Sequence, residues 1–388
     1  MTDFAALTAS YLDQARVIVV KVGSALLVDD ATGAINGDWL NGLAADLADL
    51  AAAGCSIIVV SSGAIALGRH PLGRHDGKLK LEEKQAAAAI GQIKLAGEWQ
   101  GALQAHGLKS AQILLSPDDT ETRRRHLNAR ATLQTLMGSG FIPVVNENDT
   151  VATAEIRYGD NDRLAARVAQ MITADALVLL SDIDGLYDHD PRQHKTASHL
   201  PEVTSIDEKI TAMAGPAHAS YASGGMVTKI EAARIATSAG CHMVICSGLG
   251  LNPIRSLRDG GGCTWFRAVS NPPQARKTWI AGGLQPSGVI TVDAGAVAAL
   301  ERGKSLLPAG ITDVGGNFDR GDLVTVADQN GQELGRGLSH YSAADIRQIA
   351  GCNSNQIQGI LGYRGRDEVI HADDLVRTRQ PEQPVQES

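Results

Sequence analysis

Short apolar runs that break off into polar or glycine-rich turns, each followed by a helical pattern, recur along this 388-residue chain. No other feature constrains the fold as tightly. The clearest case runs from Phe141 to Arg163. Phe141-Ile142-Pro143-Val144-Val145 is apolar, Asn146-Glu147-Asn148-Asp149 is polar, and a short bridge leads to Glu155 and then Gly159-Asp160-Asn161-Asp162. Such a run reads as a buried parallel strand whose carboxyl end opens on a crevice. In open α/β sheets that crevice is where ligands bind. Leu164, Val168 and Met171 follow at helical spacing, so residues 160–162 also stand at a helix start, where an N-cap with solvated acids is the plainer explanation. Two polar clusters so close together, both at element ends, favour a site.

The same pattern predicts strands at Arg16–Val22, Ile57–Val60, Ile113–Leu115, Ala176–Leu180 and Met243–Cys246. Helices are expected between them, with Trp39, Leu40, Leu43, Leu47 and Leu50 on one face of the first and an Ala-rich helix over about 81–106. Alternation of this kind implies right-handed βαβ units and a mainly parallel sheet, with its polar turns along one edge. Lys21 lies near the end of the first strand, where a lysine either snorkels to water or meets an anion. Ser61-Ser62-Gly63-Ala64 offers small residues and free N–H groups before a helix. Gly224-Gly225-Met226 with Thr228-Lys229 reads as a phosphate cradle at a helix start, though not at P-loop spacing. The segment 116–125 is expected to be a charged loop or subunit contact, and the histidines of 70–75 surface residues.

Composition excludes several classes. A net charge of −8 argues against a general nucleic-acid binder. The five cysteines, Cys55, Cys241, Cys246, Cys263 and Cys352, contain no Cys-x-x-Cys pair, so neither zinc nor a disulfide framework is expected; reduced thiols in a cytoplasmic protein are. No apolar run reaches the ~20 residues of a membrane span. Residues 1–14 lack a basic n-region and read as a helical or frayed extension rather than a signal peptide. Past Ser256 the character changes. Gly288–Val292 and Leu323–Ala327 alternate with glycine turns, and a helical piece lies near 343–350. This second, α/β or β-barrel module holds eight Lys and Arg against twelve Asp and Glu over 277–376, a balance of −4.

These motifs resemble the glutamate 5-kinase family over almost the whole chain. The resemblance is carried by Lys21-Val22-Gly23-Ser24, Ser61 to Ala66, Asn146 to Asp149, Gly159 to Asp162, Gly185-Leu186-Tyr187 with Asp190-Pro191-Arg192, and Gly224 to Lys229. It implies an amino acid kinase-like α/β/α sandwich over 15–265. The segment from Gly288 and the run Ser305 to Gly310 look like a PUA domain, a small β-barrel, over 277–376. The family would place ATP at Lys21, Gly23, Ser181, Asp182, Ser223, Gly224, Gly225, Met226, Val227, Thr228 and Lys229. It would place L-glutamate at Ser62, Asp149 and Asn161, and make Asp162 the carboxylate that orients the two lysines.

Three departures from the family pattern stand out. Ser223 replaces a common threonine, the run 217–221 is less glycine-rich than usual, and the N-terminal extension is longer. The chemistry further calls for Mg²⁺ bound mainly by the nucleotide, with few protein ligands expected; the family implies proline as feedback inhibitor, and a homo-oligomer, dimer or tetramer, is expected.

The chemistry fits these residues. A glutamate side chain, of ordinary pKa about 4.3, is already ionised at pH 7 and needs no general base. Phosphoryl transfer needs charge neutralisation and alignment instead. Lys21 and Lys229, expected from opposite ends of the sheet, would clamp the phosphates, with backbone N–H groups at Gly23 and Gly225, while Asp149 would hold the α-ammonium. The alternatives are another amino acid kinase, acting on aspartate or N-acetylglutamate, and an RNA-binding protein working through the PUA-like module. The acidic balance of that module tells against the latter.

Overall fold

Val17–Val22 forms the central strand β1, and its alternate residues serve two different cores. Ile18, Val20 and Val22 join one buried cluster, while Val19 joins another on the opposite face of the sheet. A strand covered on both faces has no solvent side, which is why the sequence reads as a continuous β-branched run. The same holds for β2 (Ser56–Ser61), where Ile57 and Val59 face one core and Ile58 and Val60 the other.

The computed structural model describes residues 2–29, 31–74, 77, 79–151, 161–214, 225–275 and 285–377. The chain divides into two units, Met1–Pro272 and Pro273–Ser388. The first is built on β1, β2, β3 (Lys109–Leu115), β4 (Phe141–Glu147), β5 (Ala176–Ser181), β6 (Glu202–Val203), β7 (His242–Ser247) and β8 (Cys263–Phe266). They form one sheet in the order β6-β8-β7-β5-β1-β2-β4-β3. Every described pairing is parallel except β7 with β8. The mainly parallel sheet expected from the alternation is therefore present, and β8 is an addition: a four-residue strand, antiparallel to β7, after a Gly-rich turn, where the sequence signals only a loop.

Helix α1 (Phe4–Leu12) belongs to this unit and is no frayed tail. Asp3 caps it by accepting from the Ala6 N–H. Leu12 is buried, which stabilises by about 2 kcal/mol. Tyr11 packs on the Trp265 ring and donates to Glu202, while the Trp265 indole donates to Thr8. The extension thus holds β6 and β8, the strands at one edge of the sheet. The segment expected as a charged loop also forms helix, Pro117–Glu121, because Asp119 accepts from both the N–H and the hydroxyl of Ser116.

Among the other helices are α2 (Gly37–Ala52), α3 (Ala64–Arg69), α4 (Leu81–Ala105), α5 (Arg123–Gly138), α6 (Asn161–Ile172) and α7 (Met226–Ser238). Helices α3 and α4 cross at backbone contact through two glycines. A Cβ on Gly91 would stand 1.8 Å from the Ala64 carbonyl oxygen, and one on Gly68 1.8 Å from that of Ala87. Gly91→Ala must push the helices apart and is expected to destabilise the unit by about 1–3 kcal/mol. Thermal unfolding of that variant is the check; an unchanged midpoint would mean the crossing yields freely.

The second unit carries β9 (Gly288–Val292), β10 (Ile311–Gly316), β11 (Leu323–Asp328), β12 (Glu333–Leu338) and β13 (Leu375–Arg377), in the order β10-β9-β11-β12-β13. Its pairings are antiparallel except β9 with β11. Ile290, Val292, Val324, Val326 and Tyr341 form its core with Ile346 and Ile349 of helix Ala343–Ile349.

Candidate active site

The parallel register brings the carboxyl ends of the strands to one edge. Val22 pairs with Ser61 and with Leu180, Ser181 with Ser247, and Val60 with Val145. Lys21 is therefore one residue short of the end of β1, between Val60 and Leu179. It is 5% exposed, so its head group does not escape to water. It meets Asp162 Oδ1 instead.

Asp162, fully buried, sits in the first turn of α6, where the helix dipole favours a carboxylate. Its other oxygen, Oδ2, accepts from Lys229 Nζ at 3.1 Å and from Thr228 Oγ1 at 3.3 Å. Lys229, also buried, lies in the first turn of α7, whose N-cap is Gly225. One carboxylate thus holds two ammonium groups, leaving a local charge of +1 at the meeting of two helix N-termini. Dehydrating three charges is costly, and removing the carboxylate would strand both ammonium groups. Such a cluster is suited to receiving an anion.

The two lysines do not come from opposite ends of the sheet. Strand β1 and strand β7, which α7 leads into, are separated only by β5, so the clamp closes over the middle of the sheet edge.

A second group lies beside the first. Asn161 Nδ2 donates to Ser62 Oγ at 2.7 Å and to Asn146 Oδ1 at 2.9 Å, with the Ser61 carbonyl at 3.4 Å. Ser62 precedes Gly63, whose φ of +116° turns the chain from β2 into α3; that left-handed backbone is where glycine is needed. Asp149 is half-buried in the turn after β4. Gly23, the N-cap of a short helix at Ser24–Leu27, approaches the Lys21 ammonium closely enough that a Cβ would lie 3.9 Å from Nζ.

Ser181 ends β5 and Asp182 follows it, at a pocket of about 470 Å³ lined among others by Asp182, Asp184, Arg192, Cys246 and Ser247. Ser181 Oγ donates to Asp182 Oδ1 at 3.2 Å, and Arg192 Nη2 to Oδ2 at 2.6 Å. Burial pushes the Asp182 carboxyl up, but the bond from Arg192, the bond from Ser181 and the guanidinium charge outweigh it and hold its pKa below the usual value. Burial pushes the Cys246 thiol far up, so it lines the pocket as an inert neutral group.

Of the residues expected from the sequence, the structure thus joins Lys21, Asp162, Thr228 and Lys229 in one cluster and Ser62 and Asn161 in its neighbour. Met226 and Val227 are half-buried in the first turn of α7. Ser223, Gly224, Glu155, Gly159 and Asp160 lie outside the described residues. Among the described residues no group of three or more His, Cys, Asp or Glu is placed to hold a metal. Both Asp162 oxygens face ammonium groups. Three participants were not assigned from sequence. Asn146 and Arg192 stood inside quoted motifs, whereas Gln92, which accepts from Asn146, carried no signal at all in an Ala-rich helix.

A mainly parallel sheet with two lysines on one buried carboxylate at its edge defines the class. The chain belongs to the amino acid kinase family, whose model matches residues 16–247, and a PUA domain matches residues 288–361. Among curated proteins the chain is 59% identical to a glutamate 5-kinase of Paramagnetospirillum magneticum, over 95% of this chain and 99% of that protein. It is 56% identical to a glutamate 5-kinase of Gluconobacter oxydans, over 95% and 97%, and 57% identical to one of Nitrobacter winogradskyi, over 95% and 98%.

Proposed function

We propose that the chain transfers the γ-phosphoryl group of ATP to the side-chain carboxylate of L-glutamate, giving L-glutamyl 5-phosphate and ADP, the first step of proline biosynthesis. The observation that carries this reading is the pairing of the Lys21–Asp162–Lys229 cluster with the Asn161–Ser62 group on one sheet edge. A carboxylate oxygen attacks the γ-phosphorus as the bond to the bridging oxygen breaks, and the bridging oxygen leaves with ADP. The nucleophile is ionised already, so the protein's work is alignment and charge stabilisation. Lys21 and Lys229 would face the phosphates, with Asp162 holding both ammonium groups in place. Backbone N–H groups at Gly23 and along Ser223 to Thr228 would add to them. Ser181 and Asp182 would border the nucleoside at the adjoining pocket. Mg²⁺ would arrive with the nucleotide and supply further charge neutralisation.

On this reading Ser62, Asn161 and Asp149 hold the amino acid, with Asp149 facing its α-ammonium. The test is hydroxamate formation in the presence of hydroxylamine, which traps an acyl phosphate. It should require both ATP and glutamate, with aspartate and N-acetylglutamate as comparison substrates. Preference for either of those would replace this reading by another amino acid kinase. Proline, which also presents an ammonium and a carboxylate, would compete at the same place, with sensitivity set by the loop from Asp149 to Glu155. Inhibition that rising glutamate fails to relieve would exclude that overlap. A cytoplasmic homo-oligomer fits the family and the five free cysteines. RNA binding would register as filter retention at low salt, and the acidic second unit gives little support for it.

A further inference from the structure

Asn161 is held by a chain of amides that begins outside the site. Asn146 Nδ2 donates to Gln92 Oε1 at 2.8 Å, and Asn146 Oδ1 then accepts from Asn161 Nδ2 at 2.9 Å. Asn161 Nδ2 gives its remaining capacity to Ser62 Oγ at 2.7 Å and, at longer range, to the Ser61 carbonyl. A primary amide has a donor end and an acceptor end, so in such a chain each member's orientation is dictated by its neighbour. Both asparagines are buried, at 3% and 8% exposure, where a reversed amide would set like ends against each other at a real cost.

The direction of this chain decides what the site offers. With Nδ2 occupied, Asn161 keeps Oδ1 for an incoming donor, and no described residue donates to it. Ser62 Oγ, already accepting, keeps its hydrogen for an incoming acceptor. One acceptor and one donor side by side match an ammonium and a carboxylate. Reversing the chain would turn the Asn161 amide hydrogens toward the ammonium.

Gln92 can hold the far end because of the glycine crossing. Gly91 packs on the Ala64 carbonyl, which brings α4 against the helix that starts just after Ser62. Trp99 of the same helix, fully buried, donates to Ser61 Oγ at 2.9 Å, so α4 fixes both the Ser61–Ser62 turn and the amide chain.

We propose that Gln92 is a positioning residue for substrate choice: by accepting from Asn146 it sets the polarity in which Asn161 and Ser62 meet the amino acid. The proposal rests on the glutamate reading above. Three variants test it. Gln92→Glu retains the acceptor, Gln92→Leu removes it, and Gln92→Lys replaces it by a donor. In steady-state assays of the full chain, Gln92→Glu should keep the KM for glutamate within about threefold of wild type. Gln92→Leu should raise it by about 2- to 10-fold and Gln92→Lys by about 5- to 100-fold. The KM for ATP should stay near wild type throughout. Equal effects of Gln92→Glu and Gln92→Lys, or a KM for ATP that rises in parallel, would reduce Gln92 to packing and overturn the proposal. If Gln92→Lys fails to fold, the comparison of Gln92→Glu with Gln92→Leu decides. A wild-type protein that makes no hydroxamate from glutamate sinks the underlying reading instead, and the proposal falls with it.

Discussion

Lys229→Met is expected to lower turnover on the order of 10³-fold at saturating ATP and glutamate, with the protein still folded. The Lys229 ammonium lies at the head of α7, where phosphate charge would be redistributed during transfer. Interactions that strengthen in the transition state act on kcat rather than on KM. A single well-placed donor is worth about 10²- to 10³-fold, and a cation at a transferring phosphoryl group about 10³- to 10⁵-fold. Methionine retains most of the side-chain volume, and Asp162 retains Lys21, so the helix junction should survive. Lys21→Met should behave alike for the same reason. Because both lysines share one carboxylate, the double variant should lose much less than the product of the two single losses. The measurements are kcat of each variant beside its circular dichroism melt. Near-wild-type turnover in either single variant would remove that lysine from the mechanism.

The second large effect concerns substrate choice. With Asp149 facing the α-ammonium, N-acetylglutamate should be a very poor substrate. Acetylation removes the positive charge and leaves a carboxylate opposite a neutral amide. Losing a charge-assisted hydrogen bond in a desolvated site costs roughly 2–5 kcal/mol, or about 30- to 5,000-fold in kcat/KM. Asp149→Asn should lose much of the activity on glutamate and narrow the gap between the two substrates, since an amide no longer rewards the ammonium. The experiment is kcat/KM for both substrates with both proteins. Equal use of the two by wild type would end both the Asp149 role and the glutamate reading.

What could be read in the sequence follows from how locally each feature is encoded. β1, β2 and β5 were legible because a strand covered on both faces must be apolar at every position, and a sheet edge that receives ligand must then turn polar. Lys21 and Asp162 were visible as charges at the ends of such elements. Their common meeting point was legible only through the family resemblance, since it depends on β1 and β5 being neighbours although distant along the chain. β8 was lost because four residues after a glycine run give too short a pattern to register. The importance of α1 was hidden because its partners, Glu202 and Trp265, lie far along the chain. Gln92 shows the limit most plainly: nothing in an Ala-rich helix distinguishes a glutamine facing solvent from one that touches Asn146. Only the crossing at Gly91 makes that difference, and it is a property of two helices together.

The central position of β1 also has a consequence for synthesis. One flank of β1 can pair as soon as β2 has emerged, but the other must wait for Ala176–Ser181. At roughly 5–20 residues per second, that wait lasts on the order of 10–30 s. Meanwhile Val17–Val22 has an open hydrogen-bonding edge, and Lys21 cannot meet Asp162 until residue 162 has been made. Ribosome-bound nascent chains ending before residue 160 should therefore be protease-sensitive over 17–60, and those extending past 181 progressively protected. Lys21 thus meets Asp162 only after some 140 further residues have been added, 162 less 21 being 141.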